Sequence, residues 1–124
     1  MRKRTVPQIV AVLALAVAGG ADWRQFRGTD NASCSHQAGL PTEFSAEKNV
    51  AWKADLPGRG ASSPIAVGDR VFVTASSGAE QDRLHVLAFS AADGIRLWHR
   101  QLWATGHTQC NPFGAVAVNT PASD

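Results

Sequence analysis

Downstream of residue 48, the pattern of apolar and polar positions predicts strands. Apolar residues come in short runs, several of them rich in valine and other β-branched residues, and glycine or aspartate bounds the runs. Two of the boundaries, Gly68-Asp69 and residues 91–94, have the composition of hairpin turns. The pattern therefore predicts an antiparallel meander of four strands, at residues 64–67, 70–74, 83–90 and 95–102.

A longer pattern repeats along the chain. The segment 52–56, which begins with Trp52, is echoed about 46 residues later by the segment 98–102, which begins with Trp98. A period of roughly 40–50 residues with a tryptophan and a turn in each unit is typical of radial or stacked β-architectures. Since one such unit cannot bury its own faces, we interpret the chain as the first piece of a longer protein.

The predicted sheet is apolar on both faces. In the second strand Val71 and Val73 point to one face and Phe72 to the other, because side chains alternate along a strand. A sheet with one face in water shows a cleaner alternation of apolar and polar residues. The sheet is therefore expected to have a neighbour on each side, as a propeller blade has. The alternative is one half of a small β-sandwich.

The first residues predict export. A basic start is followed by an apolar run at residues 9–18 and by small residues up to Ala21, which is the order of a secretory signal peptide. The apolar run is about half the length that a membrane-spanning helix needs. We therefore expect a periplasmic or extracellular protein without a stable membrane anchor. Residues 22–48 are rich in turn formers and predict an extended lead-in, which Trp23 and Phe26 pack onto the blade.

Charge and cysteine content narrow the classes of function. Loss of the leader removes three positive residues and takes the net charge from +2 to −1. No basic patch remains, so we do not expect binding to nucleic acid. Export permits a disulfide between Cys34 and Cys110, and two free thiols are the alternative.

Residues 88–98 resemble the repeat motif of PQQ-type (quinoprotein-like) β-propellers, roughly Ala-x-Asp-x-x-Thr-Gly-Lys-x-x-Trp. The matching positions are Ala88, Gly94 and Trp98. The chain departs from the motif at three positions: Ser90, Asp93 and Ile95. The resemblance implies that Gly94 supplies a positive φ in the turn and that Trp98 docks against an adjacent blade, with Trp52 as its counterpart one repeat earlier.

Other segments are similar to the opening of secreted PQQ-like propeller proteins of planctomycete-type bacteria, in particular residues 22–28, 39–44, 68–73 and 105–110. The resemblance implies an all-β fold with one four-stranded antiparallel β-propeller blade. It also implies the division of the chain into a signal peptide (1–21), an extended lead-in (22–48), a first blade (49–102) and the start of an incomplete second blade with its first strand (103–124).

Candidate chemistry is sparse. The four histidines have no metal-binding spacing, and two of them, His85 and His99, lie in the middle of predicted strands, where we expect them to pair locally or to lie on a polar edge. Trp103 is the one candidate for stacking against a ligand. We therefore predict no catalytic, cofactor-binding or metal-binding residues.

These observations predict a non-catalytic, exported repeat segment with a scaffold or protein-binding role. Its expected partners are other proteins or further propeller blades, and no cofactor is expected. One alternative is the N-terminal piece of a periplasmic PQQ-dependent dehydrogenase, with PQQ and calcium held between blades. A second alternative is a non-functional gene fragment. An apolar face and an edge strand left open in isolation also predict self-association.

Overall fold

A computed structural model describes residues 22–36, 38–110 and 113–124. Its regular secondary structure is a single antiparallel sheet of four strands in sequential order. The strands are β1 (Ile65–Val67), β2 (Arg70–Ser77), β3 (Arg83–Ser90) and β4 (Arg96–Trp103). The predicted all-β class and the four-stranded meander are confirmed. The predicted signal peptide at residues 1–21 lies outside the described residues.

The strand bounds differ from the sequence prediction mainly at the end of β2. This strand continues three residues beyond Thr74, to Ser77. Its far half is paired on both edges: β3 lies on one side, and on the other Arg59 exchanges backbone hydrogen bonds of 2.8 and 2.6 Å with Ser76. Arg59 thus pairs with the edge of β2 at Ser76, beyond the end of β1. This second partner lies far away in sequence, which is why the local pattern at 75–77 did not reveal the extension.

The β3–β4 hairpin forms where the turn residues predict it. Gly94 has a φ of 72° and donates its N–H to the carbonyl of Ser90 at 2.9 Å. The carboxylate of Asp93 accepts a hydrogen bond from the N–H of Ile95 at 3.1 Å, which is an aspartate closing its own turn. A bulge between Ala88 and Phe89 then adjusts the pairing with β4. Residues of the turn itself therefore close it.

The two faces of the sheet bury different sets of side chains. On one face the core consists of Ala75, Leu87 and Phe89, and the segment before the sheet covers it with Trp52 and Ala54. On the opposite face, the ring centroids of Phe72 and Trp98 lie 5.9 Å apart. Ala88, which is fully buried, pairs with both of them. The apolar character of both faces is confirmed.

The lead-in is joined to the sheet at its first strand. Trp23 and Ala66 exchange backbone hydrogen bonds of 2.7 and 2.9 Å, which extends pairing beyond β1. Next to it, a carboxylate oxygen of Asp22 accepts a hydrogen bond from the N–H of Gly68 at 2.8 Å. Trp23 therefore does tie the lead-in to the blade as predicted. Phe26 does not, since 61% of it is exposed.

Residues 113–124 form no strand of a second blade in the part of the chain that the structure describes. They lie instead along the first sheet, where Ala115 is buried and the N–H groups of Val116 and Ala117 both donate to Ser76 Oγ at 3.2 Å. The carbonyl of Asn119 accepts a hydrogen bond from Thr74 Oγ1. A strand needs a partner edge, whereas these three backbone groups bond to side chains of β2 instead.

Candidate functional site

The candidate site is the surface on which a tryptophan meets the β3–β4 hairpin. Trp52 lies flat against Gly94: a Cβ atom built on this glycine would be 2.5 Å from Cε3 of the indole ring. No side chain fits in that space, so the glycine is required both by its positive φ and by the ring. The repeat residues Trp52 and Gly94, which the sequence singled out, are brought together.

Two further contacts hold the Trp52 indole on this hairpin. Its Nε1–H donates to the carbonyl of Ala91 at 2.9 Å. Its ring stacks on Phe89 with the centroids 6.4 Å apart and the planes inclined at 29°. A flat, half-buried ring with one polar atom suits such a place, since it covers apolar area and still satisfies a turn carbonyl. The indole thus clamps the hairpin to the segment before the sheet.

Trp98 occupies the equivalent repeat position but has a different environment. It lies on the last strand, β4, every residue of which is exposed. Its ring contacts Phe72 on its own sheet, and 36% of the residue remains exposed. The structure therefore does not bring Trp98 to a glycine turn, and it separates it from Trp52 on the opposite face of the sheet.

The remainder of β4 extends this exposed surface. Side chains of large apolar residues are exposed along and beside the strand: Ile95, Leu97, Leu102 and Trp103. The guanidinium of Arg83 lies 5.5 Å from the ring centroid of Trp103, the candidate for ligand stacking. This cation–π contact covers one side of the indole from within the chain. The outer edge of β4 has no partner strand among the described residues.

Three polar side chains form a hydrogen-bonded row across β2, β3 and β4. Ser77 Oγ lies 2.8 Å from His85 Nε2, and His85 Nδ1 lies 2.9 Å from His99 Nε2. His85 is only 3% exposed. Burial, and then the charges of His99 and Arg83, lower the pKa of His85, so its imidazole is held neutral at pH 7.

Local pairing was one of two expectations for His85 and His99, beside a polar edge, and the structure shows pairing of the two with each other, whereas the part of Ser77 was missed. His85 lies opposite Ala75 and Gln101, so Ser77 and His99 are its diagonal neighbours on the same face. The hairpin turns determine this register once β2 is known to extend to residue 77. The length of β2 was the missing signal.

The two cysteines and the acidic residues do not assemble a site. Cys34 and Cys110 are both exposed and free, and the disulfide between them stays a prediction. Within the described residues, no group of three or more histidine, cysteine or acidic side chains could hold a metal ion. The described part of the chain also has no helix of the length and apolarity that a membrane span requires.

Comparison with known proteins identifies the family. No curated protein and no solved structure matches the chain. Residues 15–121, which are most of the chain, match the family model PQQ_2, described as outer membrane protein assembly factor BamB. The match extends across the lead-in, the sheet, the docked Trp52 and the exposed β4. The chain therefore belongs to the PQQ-like repeat family of the outer membrane protein assembly factor BamB.

Proposed function

We propose that this chain is an exported, non-catalytic scaffold, a PQQ-like repeat blade that binds proteins or further blades through β4. The family, which is described by an assembly factor, supports a role in protein interaction. The basic start and apolar run of residues 1–21 support export to the periplasm or the cell exterior. The similarity of its opening to secreted proteins of planctomycete-type bacteria supports the same location.

One observation carries the proposal: the same repeat residue is docked in one copy and exposed in the other. Trp52 lies on the Gly94 turn and covers one face of the sheet. Trp98 is its equivalent one repeat later, on a strand whose outer edge is open among the described residues. A second unit with a glycine turn of the same kind would pack against Trp98, as the Gly94 turn packs against Trp52. The β4 surface thus suits a second β-unit.

The absence of catalysis and of a cofactor is part of the proposal. The acidic residues with the best-defined contacts hold backbone turns: Asp93 closes the β3–β4 hairpin and Asp22 binds the N–H of Gly68. Their carboxylates are therefore already engaged in maintaining the fold. A PQQ pocket in the dehydrogenase alternative would lie between blades.

Photo-crosslinking in an exporting host tests the scaffold role. A photoreactive amino acid replaces Leu97, which is 47% exposed on β4, and in a matched control it replaces Leu40, which is 52% exposed on the lead-in. We expect a discrete protein adduct from position 97, and its loss in the Trp98→Ala background. Equal adducts from both positions, or none from position 97, would contradict the proposal.

Dye reduction separates the scaffold from the dehydrogenase. The full chain is mixed with PQQ and Ca²⁺, and reduction of an artificial electron acceptor is followed with alcohols and sugars as substrates. We expect no rate above that of PQQ and Ca²⁺ alone. A protein-dependent rate would favour the enzyme. A cooperative thermal transition of the purified chain would in turn exclude the non-functional fragment, because a remnant without a packed core melts without cooperativity.

A further inference from the structure

Charge is distributed unevenly along the chain, and β4 lies in a long stretch without acidic residues. All ten acidic residues of the chain lie at or before Asp93, except the last residue, Asp124, so residues 94–123 contain none. Two arginines, Arg96 and Arg100, lie on β4 itself. The exposed strand to which the proposed function assigns a partner is therefore basic and has no carboxylate of its own.

Both arginines of β4 are exposed, and within the described residues neither forms an ion pair. The ion pairs of that part of the chain lie in the lead-in and at the first hairpin. Asp93, the acidic residue nearest to β4 in sequence, accepts a hydrogen bond from the N–H of Ile95 and closes the hairpin turn. The guanidinium groups of β4 are thus available to carboxylates of another molecule.

One face of β4 alternates apolar and basic side chains. Trp98, Arg100 and Leu102 occupy alternate positions of the strand, so they share a face. Between them, His99 and Gln101 present polar groups on the other face. An antiparallel strand paired with the outer edge would place its side chains directly opposite these, with Cβ atoms about 4.5–5.5 Å apart. The pattern that complements β4 is therefore apolar, polar, acidic, polar, apolar.

A second copy of this chain is a poorer match for the same edge. Because β4 contains no carboxylate, Arg100 faces no acidic side chain in any register of two paired β4 strands. Opposite charges across a strand pair stabilise it, whereas like charges directly opposite each other destabilise it. We therefore expect an acidic strand to bind β4 more tightly than a second copy does.

On the basis of the proposed role of β4 in binding, we propose that its partner is an acidic extended segment of another protein. The segment adds to the sheet as a fifth strand and places a carboxylate opposite Arg100. Main-chain hydrogen bonds to the open edge contribute affinity, and the side chains at alternate positions contribute specificity. Arg96, which lies closer to the hairpin, adds positive charge that attracts the same segment.

Three labelled peptides test the charge of the partner on the full chain. They share the core Val-Thr-X-Thr-Val, with Glu, Gln or Lys at X, so the pattern is the same in either strand direction. By fluorescence anisotropy we expect the Glu peptide to bind about three- to fivefold more tightly than the Gln peptide, and the Lys peptide to bind most weakly. Raising the salt concentration from about 0.05 to about 0.5 M should reduce these differences. Equal affinities at low salt refute the acidic partner.

A charge exchange locates the contact. Arg100→Glu should reverse the order of the peptides, so that the Lys peptide binds best, because opposite charges again face each other. Arg59→Glu is the matched control: Arg59 is exposed and pairs with Ser76 on the opposite edge of the sheet, so the order should not change. Far-UV circular dichroism checks that each variant retains the sheet. An order that survives Arg100→Glu, or that reverses in Arg59→Glu, refutes the site.

Amide hydrogen exchange tests the added strand separately from its charge. The Glu peptide should slow exchange in β4 and leave exchange in β1 unchanged, and binding without protection of β4 refutes strand addition. Photo-crosslinking from Leu97 reports any protein at β4, whatever its charge. An adduct there together with equal peptide affinities overturns the acidic partner alone, whereas the lack of any adduct also overturns the proposed function.

Discussion

At the scale of single residues, Gly94 and Trp52 depend on each other. The glycine has a φ of 72°, and the space that a Cβ would take is filled by the indole ring. The ring in turn has a flat surface to lie on only because no side chain is present at position 94. The repeat motif pairs the two residues because the contact is a steric match between a turn backbone and a ring.

We predict that Gly94→Ala destabilises the fold by about 2–5 kcal/mol, from the left-handed backbone and the steric clash together. Gly68→Ala is the matched control, since Gly68 also has a positive φ, of 59°, but open space around its Cβ position. It should cost about 1–2 kcal/mol, from the backbone alone. Urea unfolding measures both. Equal losses would show that the contact with Trp52 contributes nothing.

The two repeat tryptophans should differ in their contribution to stability. Trp52→Ala removes a ring stack and a hydrogen bond to the hairpin, and we expect the free energy of unfolding to fall by about 3 kcal/mol. Trp98→Ala removes an exposed ring that contacts Phe72, and we expect about half that loss. Thermal denaturation compares them. Equal losses would mean that Trp98 is as firmly docked as Trp52 in this chain.

At the scale of elements, segments outside the sheet support it at its open sides. The lead-in extends β1 through Trp23, residues near Arg59 continue the edge of β2, and the segment from Ala115 lies along β2. Each of these uses backbone or short polar groups rather than a regular strand. Among the described residues, the sheet is thereby protected on the β1–β2 side, while the β4 side stays open. We therefore expect any association to use β4.

The tie between the lead-in and the first hairpin should be sensitive to acid. The N–H of Gly68, and then Arg24, hold the pKa of Asp22 below its ordinary value of 3.8. Because the folded-state pKa is the lower one, ionised Asp22 stabilises the fold above pH 3.8, and this contribution is lost as the pH falls through the folded-state pKa.

Asp22→Asn should therefore be less stable than the parent chain at pH 7, and the difference should shrink as the pH approaches 3. Urea midpoints measured across this range test the expectation. Arg24→Gln leaves the hydrogen bond from Gly68 to Asp22 intact. In that variant, most of the change in stability with pH that Asp22 causes should therefore remain. A difference between Asp22→Asn and the parent that does not change with pH would show that the carboxylate has no such role.

At the scale of the whole molecule, the described residues hold one sheet with an apolar, exposed last strand. Trp98 and Leu102 share a face of β4, since Ala88 and Leu84 of β3 lie opposite them and have the same orientation. An open edge with apolar neighbours is prone to pair with another chain. The same property that suits β4 to a partner therefore leads us to expect self-association of the isolated chain.

Leu102→Lys should reduce this self-association. Leu102 is 58% exposed, and losing the burial of one leucine in an interface costs about 1.5–3 kcal/mol, so we expect the dissociation constant to rise about tenfold or more. Phe113→Lys is the control, because Phe113 is 97% exposed and lies outside the sheet. Sedimentation equilibrium measures both. An equal effect of the two substitutions would show that association does not use β4.

The sequence by itself determined the hairpin turns, the apolar character of both faces and the strands apart from the end of β2, because period-two patterns and turn residues act over a few neighbouring positions. It also singled out Trp52 and Gly94, although not their contact. Tertiary structure decided which distant groups meet: the indole on a turn about 40 residues away, Ser77 beside the histidine pair, and residues 113–124 along the first sheet rather than in a second. Such contacts depend on which distant segment lies against which edge or face of the sheet, and a local pattern does not encode that choice.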